Sequence, residues 1–129
     1  MREIKFRGKR ISNGEWVYGG ISFQHERAFV HSDDLPFDNA VEVDPATVGQ
    51  FTGLRDKKGQ EIYEGDIITH QAFKGSRYAA RFSLISGLRF HDEDGYYVMP
   101  IQPVDQPQTR IEVIGNVHEN PGLLKGVEG

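Results

Sequence analysis

Cysteine is missing from all 129 residues. That absence excludes disulfide staples, thiolate zinc sites and cysteine nucleophiles, and it suits a reducing compartment, so a cytoplasmic protein is expected. Long apolar runs are missing too: nothing approaches the roughly 20 residues that a membrane-spanning helix needs. The opening Met1-Arg2-Glu3-Ile4-Lys5-Phe6-Arg7 is charged where a secretory leader would be apolar. A soluble, unprocessed chain with no membrane partner is the expectation. The sequence also has no G-x-S-x-G elbow, phosphate-binding loop, dinucleotide fingerprint or deaminase-type histidine and cysteine set, which excludes the motif-bearing forms of those enzymes. Net positive charge is lacking as well, at -4, against a surface that is basic overall.

What is present is a β-forming chain with large rings. Eight Phe, five Tyr and one Trp can each contribute about 1.5 to 3 kcal/mol when buried, enough to offset chain ordering without staples. The length fits one domain, expected over residues 1–121, or two subdomains sharing a core, with residues 122–129 as a mobile tail. Charge is unevenly placed. Arg2, Lys5, Arg7, Lys9 and Arg10 crowd the start against Glu3, whereas Asp33, Asp34, Asp38, Glu42 and Asp44 follow one another with no base between them. Such patches can meet within the fold, between identical subunits, or across to an anionic partner.

The hydrophobic period is mostly two. Ile4 and Phe6 alternate with Lys5 and Arg7, Ser12-Asn13-Gly14 turns, and Glu15 to Phe23 returns with Val17, Ile21 and Phe23 on one face and Trp16 and Tyr18 on the other. Gly19-Gly20 marks a bulge or tight bend in that strand. Arg27–His31 and Val41–Val43 read as short strands, with a surface loop over 32–39. Asp44-Pro45 reads as an N-cap followed by a proline in the first helical position, giving one helical turn near 45–48 that Gly49 should end in a left-handed conformation. Leu54 to Glu61 reads as an exposed turn, and Gly65-Asp66 as a tight corner into Ile67-Ile68, where the aspartate side chain caps nearby backbone N–H groups. Residues 77–85, Leu88 to Phe90 and Tyr96 to Met99 form an antiparallel meander, the prolines of 100–109 break the ladder, and Ile111–Ile114 closes it. The fold class is therefore mainly β: small antiparallel, barrel-like (SH3-like) sheets with one short helical turn.

The segment Val43-Asp44-Pro45-Ala46-Thr47-Val48-Gly49-Gln50-Phe51-Thr52-Gly53-Leu54-Arg55-Asp56-Lys57-Lys58-Gly59-Gln60-Glu61-Ile62-Tyr63-Glu64-Gly65-Asp66-Ile67-Ile68 resembles the signature of the YopX family, small β-rich proteins of bacteriophages and prophages. Glu3 to Gly8, Gly14 to Gly19 and Ile111 to Pro121 resemble the family's ends. Residues 69–108 match no family motif. The resemblance implies a mostly β fold and a higher homo-oligomer in a phage or prophage setting, hence in the cytoplasm of a bacterial host cell. It supplies no catalytic residue.

Chemistry-bearing groups are sparse. His25, His31, His70, His91 and His118 show no metal-ligand spacing, and Asp92-Glu93-Asp94-Gly95 lacks the alternation and distal glutamate of a calcium loop, so no metal or cofactor is expected. Glu61, Glu64 and Asp66 could pair as carboxylates, but turn-making is the simpler role. The leading expectation is a non-enzymatic oligomeric protein that acts by binding. Nucleic acid is an alternative partner, with Arg7, Lys9 and Arg10 as candidate contacts, further basic points at Lys57-Lys58 and Lys74 to Arg77, and Trp16, Phe23, Phe73 and Tyr78 available for base stacking. A second alternative is a metal-dependent or acid–base enzyme in which His70, His91 and Asp66 converge. The residues do not identify a small-molecule ligand.

Overall fold

The computed structural model describes residues 5–32, 40–71, 77–83, 87–92, 97–98 and 110–125. They form two compact units, residues 1–51 and 52–129. The expected loop at 32–39 and the proline-rich stretch at 100–109 lie almost wholly outside the described residues. Strands dominate both units, as the period-two patterning requires, and no helix among the described residues is long and apolar enough to cross a membrane.

In the first unit, β1 (Phe6–Lys9) and β2 (Trp16–Gln24) form the expected hairpin, with Phe6 opposite Gly19 and Lys9 opposite Trp16. β3 (Arg27–His31) pairs with β2 from Gly20 opposite His31 to Gln24 opposite Arg27. The two ladders therefore divide β2 between them, and the change of partner falls at Gly19-Gly20. There a Cβ on Gly19, whose φ is 154°, would sit 2.2 Å from the His31 carbonyl oxygen. Only glycine allows that approach.

β4 (Val41–Val43) pairs with β3 and returns to the end of β1. It meets that end through an Arg10–Val43 bridge and the Asp44 N–H donating to the Lys9 carbonyl at 2.8 Å. The strands curl round Ala28, Val30 and Val43, with Val17, Ile21 and Val48 packed against them. The helical turn is present as a 3-10 turn, Pro45–Thr47. Asp44 Oδ1 accepts from Ala46 N–H at 3.0 Å, and Thr47 Oγ1 accepts from Lys9 N–H at 2.8 Å. Its end differs from expectation. Val48 is the cap, extended at φ -65° and ψ 127°, so Gly49 needs no left-handed backbone and instead begins β5 (Gly49–Arg55) opposite Arg7.

The unit boundary falls within β5. Beyond it come β6 (Glu61–Tyr63), β7 (Asp66–His70), β8 (Tyr78–Ser83), β9 (Gly87–His91), β10 (Tyr97–Val98) and β11 (Ile111–Asn116), the last five forming an antiparallel sheet in the order β10-β9-β8-β7-β11. The meander is as expected, and the closing strand docks on β7. Leu54, Ile62, Ile68, Tyr78, Ala80, Phe90 and Ile111 make the core.

Two buried aspartates shape this unit. Asp56 Oδ1 accepts from Lys58 N–H and Gln60 N–H, both at 2.9 Å, while Oδ2 accepts from Val113 N–H at 3.0 Å. Lys57 N–H donates to the Ile111 carbonyl at 2.9 Å, so the segment 56–57 covers the outer edge of β11. Asp66 Oδ2 accepts from Tyr63 N–H at 2.7 Å across the Gly65 corner, where φ is 92°, the backbone capping expected of it. The expected exposed turn is thus exposed over 57–60 only, because Leu54 and Asp56 at its base are fully buried. Asp56→Ala should lower the unfolding free energy by about 2 to 4 kcal/mol, since buried amides lose charge-assisted partners. Asp44→Ala should lower it by only about 1 kcal/mol, an N-cap loss. Urea denaturation measures both, and equal effects would contradict the assignment.

Candidate functional site

Strand alternation sorts the first unit into a core face and an outer face. Arg7 lies opposite Tyr18 and Lys9 opposite Trp16, so these four side chains share the outer face, as does Lys5 two positions before Arg7. Across β2, Gly20, Ser22 and Gln24 lie opposite His31, Phe29 and Arg27, which carries the same face onto β3, and Glu42 opposite Phe29 carries it onto β4. Cations and rings alternate along it. The Arg7 guanidinium stands 4.4 Å from the Trp16 ring centroid, Lys9 Nζ 5.9 Å from the same ring, and Arg27 5.4 Å from Phe29. Lys5 Nζ lies 5.9 Å from the Phe51 ring. Ser22 Oγ and His31 Nε2 are 2.7 Å apart, both exposed. Within the strands, the carboxylate on this face is Glu42, held by Arg27 through two bonds of 2.7 and 2.9 Å.

The residues expected to contact nucleic acid are treated differently by the fold. Arg7 is 6% exposed and packs along Trp16, whereas Lys9 is half-buried beside the same ring. Arg10 is exposed, and by alternation falls opposite to Lys9. Of the four proposed stacking rings, Trp16 is on the outer face and Tyr78 is in the core of the second unit, packed with Ile68 and Phe90. Phe23 shares the inner face of Val17 and Ile21 but lies at the strand end and is 62% exposed. Phe73 lies outside the described residues, as does Lys74 to Ser76. Arg77 donates to the Leu123 carbonyl at 3.4 Å. Lys57 and Lys58 both reach Glu112, at 3.5 and 3.0 Å. Sequence reasoning set Tyr18 beside Trp16 on one strand face but offered neither it nor Arg27, Phe29 and His31 as partner contacts, although the alternation Arg27-x-Phe29-x-His31 on a recognised strand carried the signal.

His70, His91 and Asp66 do not converge. Ile67, Ala79 and His91 lie opposite one another across three strands and so share a face, while Asp66 and His70, of the other parity on β7, project from the opposite one. Asp66 and His70 are themselves four positions apart, roughly 13 Å along a strand. Glu61, Glu64 and Asp66 accept from the Tyr63 hydroxyl, Phe82 N–H and Tyr63 N–H respectively, which engages each of them in holding the chain path. Among the described residues no group of three histidine or acidic side chains is placed to hold a metal ion.

The hydrogen bonds from Arg27 hold the Glu42 carboxyl below its usual range, with the guanidinium charge acting in the same sense and desolvation opposing it. A depressed folded value means that the pair's contribution is present above the unfolded-state pKa and is lost as pH falls through the folded one. Carboxyl NMR should give Glu42 a midpoint below that of an ordinary glutamate, and Arg27→Ala should return it to the ordinary range. An unchanged midpoint would contradict the clamp.

No curated protein matches the chain. Among solved structures, protein EF1440 from Enterococcus faecalis is similar, with 24% identity over 96% of this chain and 99% of that one and a TM-score of 0.60, a likeness of fold. The family model described as YopX protein matches residues 5–125. The resemblance carried by the turn-rich central segment thus extends through both units, and the chain belongs to the YopX family.

Proposed function

We propose that the protein acts by binding and not by catalysis, as a homo-oligomeric accessory protein of a phage or prophage in the cytoplasm of the host cell. The outer face of the first unit is its partner surface, and an anionic macromolecule is the partner. One observation carries this reading: the register gathers Arg7, Lys9 and Arg27 on one face, with Lys5 two positions before Arg7, and Glu42, among the described strand residues, is the carboxylate that the register places there. A net charge of -4 does not oppose it, because a face, not a total, meets a ligand. The acidic groups of the turn-rich signature point the same way. Asp56 and Asp66 are committed to backbone amides, which leaves them to build the scaffold.

Self-association is supported by the family resemblance and by Phe23, a ring at the end of an otherwise buried face that a second copy would cover. Light scattering should show a multimer, with Phe23→Glu shifting it to smaller species while circular dichroism stays unchanged. A monomeric parent protein would remove the assembly part of the proposal. For the partner surface, binding to a phosphate polymer should weaken with salt, with a log–log slope of about -2 for two to three neutralised phosphates. Lys9→Ala should reduce that slope by about 1, whereas Lys57→Ala, at a residue already engaged by Glu112, should leave it unchanged. Equal effects of the two substitutions would place the surface elsewhere.

A further inference from the structure

Resting on that reading, we infer that the anionic partner is single-stranded nucleic acid, recognised by base stacking on Tyr18 beside Trp16. Cations alone would fit any polyanion; the rings among them are what select. Tyr18 is directly opposite Arg7 in the β1–β2 ladder and is 42% exposed, so a polar-tipped ring stands in solvent beside a fixed guanidinium. Trp16 is two positions away on the same strand face, roughly 6.6 Å along it. A planar base reaching the exposed part of Tyr18 would lie beside the Arg7 guanidinium, which stands 4.4 Å from the Trp16 centroid. Stacked Arg and aromatic planes present the flat, electron-complementary surface on which unpaired bases lie irrespective of sequence.

The same face continues from these rings into hydrogen-bonding groups. Ser22 and Gln24 on β2 and His31 on β3 are exposed, and they can meet base edges or sugar hydroxyls once a strand lies across the sheet. A duplex offers this surface only phosphates, because its bases are already stacked on one another. An acidic peptide would use the lysines but leave Tyr18 and Trp16 without planar partners.

The chain has one tryptophan, so its emission reports on this face alone. The experiment is a fluorescence titration of the full chain at low salt with three probes: a thymidine oligonucleotide, a duplex of equal length, and inorganic polyphosphate, which has charge and no bases. The oligonucleotide should change the Trp16 emission and bind at least tenfold tighter than the other two. Tyr18→Ala, at an exposed position, should weaken oligonucleotide binding by about tenfold and leave polyphosphate binding unchanged, while Tyr18→Phe should retain the parent affinity. Equal binding of all three probes would overturn the stacking inference and leave the polyanion reading standing. Failure of all three to bind would overturn both.

Discussion

Buried side-chain acceptors bound to backbone amides are the constraint on which the rest of this structure depends. A small β protein must turn its chain sharply and often, and each turn strands N–H groups that no neighbouring strand can satisfy. Asp56 resolves three such groups at once, joining a hairpin tip to a strand 57 positions later. Asp66 does the same for Tyr63 at the corner between β6 and β7, and Asn116 Oδ1 accepts from His118 and Glu119 N–H at 3.0 and 2.9 Å. An unmade hydrogen bond at any of these buried sites is more expensive than a made one is favourable, so these positions specify a chain path. That is why a segment dense in acids and glycines carries a family signature without carrying a reaction.

The first unit meets the same problem with curvature. Dividing β2 between two partners at Gly19-Gly20 curls the strands round a small aliphatic core of Ala28, Val30 and Val43. A core that small cannot shelter rings from both faces of β2. Trp16, Tyr18 and Phe29 therefore stand on the outside, where cation–ring contacts with Arg7, Lys9 and Arg27 cover part of the Trp16 and Phe29 rings. The binding face follows from the geometry of the curl: the inside is filled with valines, and the outside receives what remains.

Much of this was legible in the sequence wherever the cause is local. Asp44-Pro45 announces its turn because the cap and the missing proline N–H act within three residues, and the hairpin, β3, β4 and the meander follow from alternation between turn residues. Where the cause lies across the sheet, the sequence was silent. Arg7 looked like a solvent-facing strand cation, yet it is 6% exposed, with its guanidinium over the Trp16 ring diagonal to it. Asp56 looked like one more charge in an exposed turn, and only the arrival of Val113 places it inside. Tyr78 looked available for stacking until its strand was seen to turn it into the core. His70 and His91 could be imagined in one cleft until the register through Ala79 set them on opposite faces. Gly49 misled for a different reason: a glycine after a helical turn usually marks a left-handed cap, but here Val48 ends the turn extended and the glycine serves a strand.

The most direct test of the account is native-state hydrogen exchange at the amides of Val113 and Tyr63, which donate to the Asp56 and Asp66 carboxylates. If these side chains specify the chain path, both amides should exchange only through global unfolding, with protection matching the core strand amides of Ile67 and Ile68. Exchange at the rate of an open loop, with the core strands still protected, would show that the carboxylates decorate the turns without holding them.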